Sequence, residues 1–472
     1  MDQLPNSQIK NLPDELLLEI FDLYREDVNH DLWMDEYVWL RLAHVCRKWR
    51  TVMFTSPSRL GLCIPVGPQK PDHIQKVLSG PFPILVHYKR TRGDISGSAL
   101  WRLRALLKHP DRLRGITFEG TSTGFHKFFS LTTGCTLPVL ESLELRPEPT
   151  ATYALTLPDT FLKRPDSSDL HHLRRLKLYK ASVPSICGFL SSTTALTHLC
   201  LETVDRFNHS LLVCLQDMLS LCSLHLSMPS VYLYLTAMTQ PSTPHYTIAL
   251  SKLTSLRFTG QSMHLNDFMA WFSAPFLQDV DVDFVDHFWV PNTRFSRFID
   301  DIKEHYHTVR MSFTKLESGI SLVSSSEPSD SPKPHFDLGL PPCRWKADTM
   351  MRMCTVLSTR LIKVTELCVT FDENAEHWKK SFDWRSFLQQ FPSVKTLRAG
   401  GVDSNFVELT LLHYDHEEPD DVLAFLPALE EIELDKYKLS VRESKRASQL
   451  AVLQPFVSAR QRAGRPVKVL YG

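Results

Sequence analysis

The chain has 472 residues, of which 43% are hydrophobic and 22% charged, enough apolar content to bury a large core. Lysine plus arginine total 53, as do aspartate plus glutamate, so no global field draws the chain to nucleic acid or anionic lipid, and neither partner is expected. No stretch approaches the ~20 apolar residues that span a bilayer, and the opening Met1-Asp2-Gln3-Leu4-Pro5 lacks the basic-then-apolar order of a secretory signal.

The first element is a helix over Leu12–Tyr24. Leu16, Leu17, Ile20, Phe21, Leu23 and Tyr24 fall on one broad helical stripe. Pro13 stands at its start, where a missing N–H costs nothing, and Asp14 and Glu15 put negative charge at the positive end of the helix dipole. The polar run Arg25–Asp31 reads as a loop. Trp33, Tyr37, Leu40, Val45, Cys46 and Trp49 then read as one or two further helices that stop at Thr55-Ser56-Pro57, because proline disfavours helix at the residue before it. Three short helices make a small core, and a stripe this wide calls for a partner surface. Arg47, Lys48 and Arg50 read as a solvated basic face.

The pieces Leu12-Pro13-x-Glu15-Leu16-x-x-x-Ile20-Phe21, Val45-Cys46-x-x-Trp49-Arg50 and Ser56-Pro57-x-x-Leu60 occur in this order around a variable loop. Together they resemble the F-box, the helical module that docks adaptor proteins onto the Skp subunit of cullin–RING ubiquitin ligases. The resemblance implies that Leu12, Pro13, Leu16, Ile20, Phe21, Val45 and Trp49 lie in or beneath a Skp-facing surface; core packing uses the same residue types. Two departures are visible. The loop is longer than in the shortest relatives, and Gly61 stands where many relatives place a tryptophan.

Beyond Pro65, Phe82–Tyr88 reads as a strand and Ala99–His109 as a helix ended by Pro110. An apolar-x-x-apolar-x-apolar pattern then recurs. Its middle residues Ile116, Leu143, Leu176, Leu199, Leu224, Leu256 and Val280 lie 27, 33, 23, 25, 32 and 24 residues apart, and it returns around Leu367, Leu397 and Ile432. Irregular steps near ~20–29 residues mark a leucine-rich solenoid, in which each unit adds one strand and returns by a helix or irregular segment. The asparagine or cysteine that usually follows the pattern is mostly missing, as at Tyr179-Lys180-Ala181 after Leu178. These units resemble degenerate leucine-rich repeats. The expected fold is α/β: a three-helix F-box over residues 9–64, then a leucine-rich-repeat-like solenoid with parallel strands over 65–472, together resembling a fungal-type F-box/leucine-rich-repeat protein. A non-solenoid α/β domain is the alternative.

The Ser/Pro-rich run Ser321–Pro334 reads as a mobile insertion, Asp415–Asp421 as a solvated acidic loop, and Lys445–Lys468 with Val467–Tyr471 as a basic closing helix and last strand. Ten cysteines, none in a C-x-x-C pair, are expected to be reduced thiols of a cytoplasmic or nuclear protein. No G-x-S-x-G, H-E-x-x-H, P-loop or G-x-G-x-x-G motif occurs, and His171-His172 and His305/His307 lack helical ligand spacing. No cofactor, no metal and no catalysis by the chain are therefore expected. The expected function is recruitment: the helices bind the Skp adaptor and through it cullin, while the inner strand surface holds an unidentified target protein. A leucine-rich scaffold not assembled with cullin is the competing reading.

Overall fold

The computed structural model describes residues 12–28, 38–56, 64–66, 78–89, 94–148, 151, 154–158, 161, 172–202, 209–228, 247–285, 293–302, 306–313, 318–323, 335–340, 346–371, 383–401, 426–434 and 443–471. The chain divides into two compact units, Met1–Glu202 and Thr203–Gly472.

The first unit opens with three helices, α1 (Asp14–Val28), α2 (Val38–Ala43) and α3 (Arg47–Thr55). It continues with β1 (Ile64–Val66), β2 (Ile84–Lys89), α4 (Gly97–Leu106), β3 (Leu113–Gly120), α5 (Ser122–Thr132), β4 (Ser142–Pro147), β5 (Arg175–Tyr179), α6 (Val183–Leu190) and β6 (His198–Glu202). The six strands lie side by side in chain order, all parallel. Register aligns the apolar pattern across them: Val86, Ile116, Leu143, Leu176 and Leu199 form one inward row, and Tyr88, Phe118, Leu145, Leu178 and Leu201 the next. Every one of these side chains is buried. A single strand could not shield its leucines; stacking does it for all of them. Phenylalanines fill the space behind. Phe118 stacks on Tyr88 and on Phe128 of α5, with ring centroids 5.0 and 4.5 Å apart, and Phe128 and Phe129 reach Phe161. Register slips between Ile84 and Leu85 against β3, and Gly115 sits at that slip: a Cβ there would come within 2.1 Å of Leu85 Cδ2.

The second unit comprises α7 (His209–Gln216), β7 (Ser223–Ser227), β8 (Ile248–Ala249), β9 (Ser255–Gly260), α8 (Ser262–Met269), β10 (Phe272–Ser273), β11 (Asp279–Phe284), α9 (Thr293–Asp301), β12 (Thr308–Phe313), β13 (Ser318–Val323), β14 (His335–Leu340), α10 (Lys346–Val356), α11 (Ser358–Leu361), β15 (Glu366–Phe371), α12 (Trp384–Leu388), β16 (Thr396–Gly401), β17 (Glu431–Leu434), α13 (Glu443–Arg462) and β18 (Lys468–Tyr471). Its main sheet runs β7-β9-β11-β14-β13-β12-β15-β16-β17-β18, while β8 and β10 pair separately. The expectation of parallel strands holds except at one place. There β13 runs antiparallel to both β12 and β14, and the chain visits the three strands in reverse spatial order. The inward rows continue through this insertion, with Val282, Leu338, Ile320, Met311 and Val369 in line. Ser321–Val323 belong to β13 rather than to a loop, and 324–334 lie outside the described residues, as do Asp415–Asp421, His171 and His305. Among the described residues no helix is long and apolar enough to cross a membrane.

One backbone device recurs at the strand starts: two successive amides converge on a single carbonyl of the neighbouring unit. Arg174 and Arg175 donate to Glu141 O, Thr254 and Ser255 to Cys222 O, and Glu430 and Glu431 to Lys395 O, all between 2.8 and 3.0 Å. Each new strand is thereby registered on the last before its side chains pack.

Candidate docking surface

The start of α1 is built as its sequence predicts. Pro13 directly precedes it and offers its carbonyl to Leu17 N at 3.1 Å, and Asp14 and Glu15 occupy the first turn. The helix continues past Tyr24 to Val28, so the predicted loop begins later. Arg25 and Glu26 are good helix formers, and polarity alone does not end a helix.

The single apolar stripe read from the sequence is two stripes in the structure. Leu17, Leu18 and Phe21 turn inward and form a buried cluster with Leu42, Ala43, Val52 and Met53, against which Leu12, Tyr24 and Trp49 pack half-buried. Leu16, Ile20 and Leu23 turn outward and are 45, 38 and 66% exposed. These three stand at i, i+4 and i+7 and therefore form one ridge. Phe21 meets Trp49 edge-on with centroids 4.9 Å apart, which ties α1 to α3. The indole Nε1 of Trp49 is shielded and finds no acceptor among the described residues.

Val45 and Cys46 lie in the turn between α2 and α3 rather than inside a helix. Backbone bonds from His44 to Arg41 O and from Val45 to Leu42 O hold that turn and leave Val45 55% exposed. Cys46 is the N-cap of α3, its Sγ accepting from Trp49 N at 3.5 Å, so this thiol replaces the usual serine oxygen instead of packing as a small hydrophobe. The basic residues are also more than a solvated face. Lys48 Nζ donates to Leu12 O at 2.5 Å and lies 3.5 Å from Asp14 Oδ1, and Arg50 Nε donates to Ala43 O at 3.0 Å. Arg47 alone of the three matches the solvated reading, with an exposed side chain.

Of the seven residues marked in the sequence, Leu16, Ile20, Pro13 and Val45 are thus exposed, whereas Leu12, Phe21 and Trp49 support them from within. Leu23 belongs to the exposed ridge but not to that set; its position seven residues after Leu16 is the signal that places it there.

The outward faces of the strands carry charge. In the first unit Lys89 lies 3.3 Å from Glu119, and Arg146 sits 4.0 Å above the Tyr179 ring while donating to its hydroxyl. Burial, then Glu202 and Glu144, push the Tyr179 phenol well above its ordinary range. In the second unit Arg398 bridges Glu366 and Glu433 at 2.9 and 2.7 Å, joining three strands.

Residues 9–57 match the family model described as F-box-like. A comparison with curated protein sequences found no match. Among solved structures, the chain is similar to the leucine-rich repeat-containing protein LegL7 from Legionella pneumophila, at 12% identity, over 68% of this chain and 89% of that one, with a TM-score of 0.25. The helical module is an F-box-like domain, and the parallel strands that follow it form a leucine-rich-repeat-like α/β fold.

Proposed function

We propose that the protein is the substrate-recruiting subunit of a Skp–cullin–F-box ubiquitin ligase, acting in the cytoplasm or nucleus. The observation that carries this reading is the ridge Leu16, Ile20 and Leu23, with Val45 in the turn between α2 and α3: large apolar side chains that the module's own core leaves in water. Leu16, Ile20, Val45 and Pro13 would touch the Skp adaptor, while Leu12, Phe21 and Trp49 fix the helices that present them. Covering each exposed aliphatic side chain is worth about 1–2 kcal/mol, so the ridge as a whole supplies affinity in the range of a specific contact. The inner strand surface, whose solvent-facing side chains carry the ordered charges, would hold the target. The chain carries out no bond chemistry in this reading; it raises the concentration of target beside an enzyme held by other subunits.

The test is co-purification. The full chain mixed with the Skp adaptor forms a complex, and Leu12→Ala with Pro13→Ala weakens it. Absence of a complex, or one indifferent to the double substitution, sinks the docking reading. Cullin added to the Skp complex then separates a ligase subunit, which captures it, from a scaffold, which does not.

A further inference from the structure

Three arginines far apart in sequence make the same contact. Arg112, just before β3, donates from Nε and Nη2 to Phe82 O at 3.1 and 2.8 Å and from Nη1 to Leu78 O at 2.9 Å. Arg360, in α11 before β15, donates from Nη2 to Ile299 O at 2.6 Å, Asp300 O at 2.9 Å and Ile302 O. Arg460, near the end of α13 before β18, is fully buried and donates to Leu426 O at 3.3 Å, Pro427 O at 3.5 Å and Leu429 O at 2.8 Å. In each case the guanidinium belongs to the segment that leads into one strand, and the carbonyls belong to the segment that leads into the strand paired with it: β2 with β3, β12 with β15, and β17 with β18. The fork spans several carbonyls at once, which a lone hydroxyl cannot do. A smaller contact recurs at other boundaries, where Thr197 Oγ1 donates to Arg174 O at 3.0 Å and Thr254 Oγ1 to Cys222 O at 3.2 Å, and it accompanies Arg360, where Thr365 Oγ1 donates to His307 O at 3.4 Å.

The three positions share a context. One holds the turn whose Phe82 meets the third helix of the module, one lies beside the antiparallel insertion, and one joins the last pair among the described strands. Each latched pair has an irregular neighbour on one side, the three-residue β1 beside β2, the antiparallel β13 beside β12 and no described strand beyond β18, so it is stacked less fully than a pair between two regular repeats. We propose that Arg112, Arg360 and Arg460 are inter-repeat latches that replace stacking where the regular array is interrupted, and that the first also fixes the helical module. Phe82, whose carbonyl Arg112 holds, packs edge-on against Phe54 in the last turn of α3, with centroids 5.9 Å apart. The path from module to array is therefore α3, Phe54, Phe82, Arg112. The latches stand whether or not the module binds a Skp adaptor; only the use of a fixed orientation rests on the docking reading.

The amides of Ile84, Ile302 and Leu429, which donate to Arg112 O, Ile299 O and Leu426 O, sit in the latched turns and report on them. Hydrogen exchange of the full chain is expected to rise about tenfold or more at Ile84 in Arg112→Ala, at Ile302 in Arg360→Ala and at Leu429 in Arg460→Ala, each change confined to its own turn. Arg257→Ala, which removes an ion pair between strands, leaves all three amides unchanged. Spin labels introduced as unnatural amino acids at Glu19 and Arg104 then read the orientation of the module. Arg112→Ala and the milder Phe54→Ala broaden the distance distribution, and Arg460→Ala does not. Exchange that rises uniformly, or a distribution in Arg112→Ala as narrow as in the unaltered chain, overturns the proposal, and neither result bears on Skp binding.

Discussion

The helical module and the strand array spend the same residue types in opposite ways. In the array the pattern leucines Leu143, Leu176, Leu224 and Leu256 are all fully buried, because each unit's apolar row is covered by the next. In α1, half of the large apolar residues between Leu16 and Leu23 face water. Helical periodicity allows this: Leu16 and Leu17 are neighbours in sequence but about 100° apart around the axis. An apolar side chain that folding leaves uncovered does not serve the fold, and under the proposed function it is the one available to a partner.

Substitutions on the two sides of α1 break the comparison most directly. Leu16→Asp with Ile20→Asp is expected to weaken capture of the Skp adaptor about a hundredfold or more in a binding assay, with an unchanged melting temperature, since neither side chain serves the core. Leu18→Ala, two positions from Leu16 and Ile20 of the ridge and 5% exposed, should do the reverse and destabilise the fold by about 2–5 kcal/mol in denaturant titrations. If Leu18→Ala leaves stability untouched, the division into two stripes is wrong.

In the array, Leu256→Ala should cost a similar ~2–5 kcal/mol by melting while leaving adaptor capture intact. The insertion offers a smaller effect. A Cβ at Gly319 of β13 would lie 2.8 Å from Leu338 O, a backbone atom that cannot swing aside, so Gly319→Ala should cost about 1–3 kcal/mol. The smallest effect is chemical. Burial, reinforced by Glu202, pushes the Cys200 thiol up to about 12, and burial with Glu366 pushes Cys368 up to about 11. Both stay protonated at pH 8, below those values, so alkylation by iodoacetamide should be far slower in the native chain than after denaturation. Rapid native labelling at either position would contradict the shielding of these thiols, whose Sγ atoms lie 3.6 Å from Glu202 Oε1 and 3.7 Å from Glu366 Oε1.

Much of this was legible in the sequence, for identifiable reasons. The strands of the regular array follow the leucine pattern because burial enforces it one unit at a time. β12 carries the same spacing in Tyr306, Val309 and Met311, but no leucine marks it, since its first position is a tyrosine and its last a methionine. β13 and β14 could not be read from repeats, because their alternating Ile320/Leu322 and Phe336/Leu338 follow strand periodicity without the leading apolar residue. In the helical module the apolar residue types were legible, but their sorting into exposed and buried was not. Which side of a helix faces inward depends on where α3 lies, and the Phe21–Trp49 and Lys48–Leu12 contacts that place it are 28 and 36 residues apart in sequence. Likewise, nothing local announces that Arg112 or Arg460 will reach carbonyls thirty or more positions away.

The insertion in the second unit has a parity that matters. Three strands occupy the space between β11 and β15, and because β13 alone is reversed, β14 and β12 present their neighbours with the same polarity as any other repeat. Subtracting β13 and β14 would leave β12 as an ordinary repeat with the tyrosine-led pattern, beside β11 on one side and β15 on the other. The extra hairpin strands are thus a pair that can be gained or lost without reversing anything downstream. Their addition lengthens the sheet by two strand spacings, about 10 Å, and shifts every later repeat by that distance.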